Sequence, residues 1–262
     1  MAVSDGTMKR WNILQLIALI TSTALLSIGN SHASAQQDEA RLIANLEELM
    51  IFLSAAQSAA TGNQDLINDP ELGDKGITGK MVITEALNNY KEKTGGRFLT
   101  PGSNDLFYQA RKAMLSAVKS VVDEAQPVIN AKGVGFKGFI PAVFRSQVSI
   151  KFSDKMAGKI TFKATAPNQL LRNKYHVPDS WEANVLTSVF ESATHSKGES
   201  YTERSQHNGK NAYRYMKPMY YKPGCLSCHG NPKGSIDITG GKREGGKLGQ
   251  LAGAMSFVIY TE

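Results

Sequence analysis

Apolar side chains recur at helical spacing through the first half of the chain and at strand spacing through much of the second. Leu42, Ile43, Leu46, Leu49, Met50 and Leu53 fall on one face and predict a helix over 36–60, closed by Thr61-Gly62-Asn63. Residues 62–80 are rich in Gly, Asp and Asn and read as a loop. A second helix is predicted over 80–93, stopped by Gly95-Gly96. A third, over 104–125, carries the stripe Leu106, Phe107, Ala110, Met114, Ala117, Val118, Val121 and Val122 and ends at Pro127. Beyond 139 the pattern changes. A short helix is predicted near Pro141, and strands over 158–165, 212–221 and 250–260. A helix over 179–194 lies between the first two strands, capped by Asp179 or Ser180, with Trp181, Val185, Leu186, Val189 and Phe190 inward. Residues 230–249 form a glycine-rich loop, and His195 and His207 fall in segments read as polar loops. Helices followed by strands with such connections predict an α+β fold with an antiparallel sheet.

The N-terminus has a pattern of its own. Lys9 and Arg10 precede an apolar run from Ile13 to Ile28, and Ala33 and Ala35 then form an A-x-A cleavage signal before Gln36. This is the layout of a secretory signal peptide. The run is short for a membrane span, which needs about 20 residues. Residues 1–35 are therefore expected to be a cleaved signal peptide, an uncleaved N-terminal membrane anchor being the alternative. In either case the remainder is expected outside the cytosol, periplasmic or otherwise exported. The 262 residues are 41% hydrophobic and 20% charged, which is ordinary for a folded chain. The net charge of +7 does not bring a nucleic-acid motif with it, and the lysines are scattered, so nucleic acid is not an expected partner. A basic surface instead suits an anionic cofactor or an acidic redox partner.

Export sharpens the meaning of the two cysteines, the only two in the chain. They stand in Cys225-Leu226-Ser227-Cys228-His229. In C-x-x-C-H the two thiols are spaced to reach the two vinyl groups of one haem, and the following histidine supplies the proximal imidazole. A structural zinc site needs four ligands, and no second Cys/His cluster exists. A thioredoxin-like pair needs a βαβ context that the pattern does not provide. A disulfide here would close too small a loop to stabilise much. Cys225, Cys228 and His229 are thus the expected haem c anchor, with His229 as proximal iron ligand.

Three stretches, in order, carry a family resemblance. Arg172-Asn173-Lys174-Tyr175-His176-Val177-Pro178-Asp179-Ser180-Trp181-Glu182 resembles an R-N-P-x-N-x-P-D-x-W-E segment, "CLSCHG" a C-L-x-C-H-G motif, and "GGKLGQLAGAMSFVI" a closing G-x-x-x-G-A-x-S-V strand. The chain from about Phe139 to Ile259 thereby resembles the bacterial PAS-like c-type haem sensor domains of chemoreceptors, sensor kinases and stand-alone exported proteins. Lys174 and His176 depart from the pattern, where Pro and Asn are usual. The resemblance implies an N-terminal helical layer (36–138) on a PAS-like antiparallel sheet (139–262) carrying one covalent haem. It implies a sensor of redox state or of a diatomic gas that signals to a redox or signalling partner protein. A periplasmic electron-transfer carrier is the alternative, and no enzymatic activity is expected.

For the iron's sixth position the candidates are Met50, on the first helix, and His176, within the family-matching segment. A core role and a surface role are the respective rivals. Arg172 is the expected partner of a haem propionate, because a guanidinium matches a carboxylate bidentately; a salt bridge to Glu182 is the rival. Met216 and Met219 are read onto opposite strand faces, one of them near the haem edge. Leu42, Leu46, Leu49 and Leu53 make a seam near 3.5-residue spacing that serves either a homodimer or internal packing.

Overall fold

The computed structural model describes the backbone of residues 11–100, 102 and 104–261, and side chains from residue 36 onward. The charged n-region, Lys9 and Arg10, lies outside the described residues, as do the side chains of the rest of the expected signal peptide. Among the described residues no helix is long and apolar enough to cross a membrane. The chain divides into two compact units, 1–47 and 48–262. The first consists, in its described part, of helix α1, which runs from Trp11 to Thr61 and so continues into the second unit.

In the second unit, α1 buries Leu49, Phe52, Leu53 and Ala56. Then come α2 (Gln64–Asn68), α3 (Gly79–Thr94), α4 (Leu106–Glu124) and α5 (Gln126–Ile129). The short α2 interrupts a stretch expected to be loop throughout, with Asn63 accepting from the Leu66 amide as its cap. Thr78 caps α3, and Gly95 ends it in the left-handed region at φ 72°, which glycine enters without a Cβ penalty. Asp105 caps α4, whose predicted stripe is the buried one from Ala110 to Val122. Phe98 closes this layer by stacking on Phe52 at 4.2 Å.

Helix α6 (Pro141–Lys155) starts on proline, whose fixed φ suits a first helical turn. It leads to β1 (Ile160–Thr165), α7 (Ser180–Asn184), β2 (Tyr201–His207), β3 (Lys210–Tyr220), α8 (Leu226–His229) and β4 (Leu251–Tyr260). The four strands form one antiparallel sheet in the order β1-β4-β3-β2, so the fold is α+β. Strand β2 and the placement of His207 correct the sequence reading. YTERSQH has no apolar alternation because β2 is an edge strand, half open to solvent. His207 sits at its end, with Nδ1 2.5 Å from the Tyr260 hydroxyl.

The sheet is covered on both faces. Phe152 of α6 meets Phe162 of β1, which stacks on Phe257 of β4, which in turn meets Tyr215 of β3. On the opposite face Met216, Leu251 and Ala254 pack against Val185, Leu186 and Phe190. The 179–194 helix is shorter than its apolar pattern suggests: α7 passes into a π-helical turn at Val185–Val189 and then into turns. Asp179 and Glu182 form a capping box at its start. Glu182 also reaches Lys163 at 2.9 Å, and Arg214 lies 2.6 Å from Asp179 and 4.2 Å from the centre of the Trp181 ring. Asp179, Glu182 and Trp181 thus tie α7 to the sheet.

Candidate haem-attachment site

Strand β3 delivers the motif. After a bulge between Met219 and Tyr220 it passes through a single 3₁₀ turn, Pro223–Cys225, into α8. Cys225 and Cys228 are free and half-buried, not joined to each other. One helical turn carries both thiols and His229, so the three groups emerge from one short, continuous segment.

His229 is held on two sides. Its ring lies 5.6 Å from that of Tyr221, and Nδ1 pairs with Glu244 Oε2 at 2.8 Å. With a carboxylate at Nδ1, that nitrogen carries the proton, and Nε2 is the one with a lone pair to give. The backbone is fixed as well: the Gly246 amide donates to the His229 carbonyl at 2.7 Å. A Cβ on Gly246 would sit 2.5 Å from Tyr221 Cε2, so only glycine allows this approach.

Behind His229 stands Arg172. Its Nε and Nη2 donate to Glu244, its Nη1 to Asp237 at 2.5 Å, and its Nη2 also to the Cys228 carbonyl at 2.6 Å. Asp237 in turn accepts from the Thr239 hydroxyl and amide. These bonds, the Thr239 hydroxyl first and Arg172 second, hold the Asp237 carboxyl far below the usual carboxylate range despite burial. Burial opposes ionisation of Glu244, but hydrogen bonds from Arg172 and His229 outweigh it and keep that carboxyl low too. The two anions raise the Arg172 pKa in return, the Glu244 hydrogen bond contributing most. The result is a chain of charge-assisted bonds, Asp237–Arg172–Glu244–His229, that orients the imidazole.

The other expected residues lie on other elements. Met50 is half-buried on α1. His176 ends a 3₁₀ turn (Lys174–His176), with Nε2 2.9 Å from Ser146 Oγ of α6. Burial, and then the Lys163 charge, lowers its pKa, so its ring is neutral near pH 7. Met216 lies in the α7-facing core, whereas Met219 touches Arg145 of α6. Arg172 makes its ion pairs with Asp237 and Glu244 rather than with Glu182, which pairs with Lys163 and Arg214. Glu244, Asp237 and Arg145 were not singled out in the sequence. For the first two a signal exists: they are the only acids in the glycine-rich loop 230–249 that follows the motif.

The donor set fits a haem of the c type: two free thiols three residues apart, and an imidazole whose Nδ1 is already occupied. Among the described residues no cluster of three or more His, Cys, Asp or Glu side chains is arranged to hold a metal ion by itself.

The Tll0287-like family model matches residues 103–259, more than half of the chain. The chain belongs to this family, which comprises cytochrome c-type sensor domains. The match takes in α4 as well as α6, α7 and the whole sheet. No curated protein and no solved structure gives a significant match.

Proposed function

We propose that the protein is an exported, non-enzymatic mono-haem sensor domain of PAS-like architecture. Cys225 and Cys228 anchor one haem covalently, and His229 is its proximal ligand. The single observation that carries this reading is the His229–Glu244 pair beside two free thiols. It presents one imidazole nitrogen for iron within the segment that presents both thiols. The four-stranded sheet covered by helices on both faces supports the PAS-like description. In each attachment a thiol adds across a vinyl group. A sulfur–carbon bond forms, the thiol proton ends on the other vinyl carbon, and no external oxidant is consumed.

Once bound, the haem supplies a one-electron couple and a site for a small axial ligand. The chain's residues set its properties. Glu244 fixes the tautomer and orientation of the His229 imidazole, Arg172 holds Glu244 in place, and Tyr221 covers one side of the ring. The signal, redox state or a diatomic gas, depends on how strongly the sixth position is held, with Met50 and His176 as the candidate ligands. A redox or signalling protein receives it.

The test is a holoprotein made with a c-haem maturation system. Haem should stay on the chain after denaturation and be lost from Cys225→Ala/Cys228→Ala. Haem that is extracted from the denatured wild-type chain, or that persists covalently in the double variant, sinks the assignment. Carbon monoxide added to the reduced protein then separates the two signals: a rapid spectral shift favours gas sensing, and no shift favours redox sensing.

A further inference from the structure

The glycine-rich loop 230–249 turns its two acids inward and its lysines outward. It folds back on the motif: the Gly234 amide donates to the Arg243 carbonyl and the Arg243 amide to the Ser235 carbonyl, while the Gly246 and Gly249 amides donate to the carbonyls of His229 and Tyr221. Within it Ile236 pairs antiparallel with Lys242, and cross-strand partners share a face. Asp237, the next residue, is buried and held by Arg172, so alternation puts Ile236 on the outside. Ile236, Ile238 and Leu248 are 61%, 67% and 65% exposed. Among the described residues ten large apolar side chains lie open, and this one loop supplies three of them. Lys233, Lys242 and Lys247 are exposed beside them, and among the described residues none of these three ammonium groups is in an ion pair. The loop's acids cannot balance them, because Arg172 takes both Asp237 and Glu244. The whole chain holds 30 Lys and Arg against 23 Asp and Glu, so this face is more one-sided in charge than the molecule is.

We propose that this face docks an acidic redox protein that exchanges an electron with the haem. This deepens the haem reading above and rests on it for what the contact is for; the contact itself needs only the surface. An apolar centre with a cationic rim suits a transient interface: the centre excludes water on contact, and the rim steers an oppositely charged partner at a rate that salt screens. Position gives the contact its use. Lys233 stands four residues beyond His229, and Gly246, which precedes Lys247, is bonded to the His229 carbonyl. A partner seated here lies beside the segment that carries the proximal histidine. Arg172 acquires a second effect, because by neutralising Asp237 and Glu244 it keeps the face free of negative charge.

Reduced flavodoxin, an acidic flavoprotein, is the probe. Its flavin hydroquinone gives one electron to the ferric haem, leaving the semiquinone and ferrous iron. Stopped-flow rates are compared for wild type, Lys233→Glu/Lys242→Glu/Lys247→Glu, Ile236→Ser/Ile238→Ser, and Lys80→Glu/Lys91→Glu/Lys93→Glu, a control of equal charge on α3. The wild-type rate should fall about tenfold from low to high salt. The loop triple should be about tenfold slower at low salt and lose its salt dependence, while the α3 triple keeps most of the wild-type rate. The isoleucine variant should be slower at every salt concentration. Binding of oxidised flavodoxin, read by interferometry, needs no haem and should rank the variants in the same order. Equal slowing by the loop and α3 triples overturns the proposal, because net charge alone would then act. Binding to phosphatidylglycerol vesicles without binding to flavodoxin overturns it too, as a membrane contact. So does a changed haem spectrum in the isoleucine variant, which would make Ile236 and Ile238 walls of the haem pocket. A wild type without covalent haem overturns the haem assignment instead, and the binding measurement then decides the surface alone.

Discussion

Glu244 is the residue on which the site's chemistry turns. Its carboxylate accepts from His229 Nδ1 while two nitrogens of Arg172 fix it from behind. A proximal imidazole sharing its proton with a carboxylate donates more electron density and favours ferric iron. Glu244→Gln should therefore keep its covalent haem and raise the reduction potential, as potentiometric titration of the holoprotein would show; an unchanged potential would remove Glu244 from the tuning role. Gly246→Ala tests the same corner sterically, because its Cβ would meet the Tyr221 ring at 2.5 Å. The expected result is a displaced ring, a disturbed His229 and a broadened or split absorption spectrum. The motif was legible in the sequence because its chemistry lies within five consecutive residues. Glu244 and Arg172 were not legible as a pair, because 72 residues separate them and only the fold brings them together.

At the scale of elements, α7 and β3 share the buried ionic cluster of Asp179, Glu182, Arg214 and Lys163. Glu182→Ala leaves the buried Arg214 with Asp179 alone and should cost about 3 kcal/mol in urea unfolding, the low end for a broken buried pair. Burial opposes ionisation of Asp179, yet Arg214 and the Glu182 amide hold its pKa below the ordinary 3.8. A carboxyl depressed by folding contributes stability in full above its unfolded pKa and loses it as pH falls through the folded one. Asp179→Asn, which can still cap the helix, should thus be less stable than wild type at pH 7. The difference should shrink once the pH drops below about 3.8, as acid titration of both unfolding curves would show. Long elements with clear periodicity, α3, α4 and β4, were read nearly to their ends. Strand β2 was missed because an edge strand needs no apolar face, and α7 was overextended because the apolar pattern continues through a π turn and into turns that no longer wind as an α-helix.

For the molecule as a whole, export is a separate expectation. Cleavage after Ala35 should leave Gln36 as the new N-terminus, which intact-mass measurement of secreted protein would show; a retained leader would favour an N-terminal anchor. The family match and the sheet order make the region from α4 to β4 one continuous architecture, and the haem motif sits inside it, between β3 and β4. That placement has a kinetic meaning. The thiols and His229 are neighbours in sequence, so they are together in any chain, folded or not. Glu244 and Asp237 meet Arg172 only across closures of 72 and 65 residues, and such long-range contacts carry the entropy of ordering the intervening chain before they repay it. On the proposed function, haem attachment and the anchoring of Glu244 by Arg172 are thus events on different clocks: the first needs five residues and the His229–Glu244 contact closes only 15, whereas the second needs the chain from Arg172 onward in place. A chain captured with its haem before Arg172 has docked would carry an axial histidine whose Glu244 partner is not yet anchored, and the shift of its spectrum toward that of the finished protein would time that stage of folding.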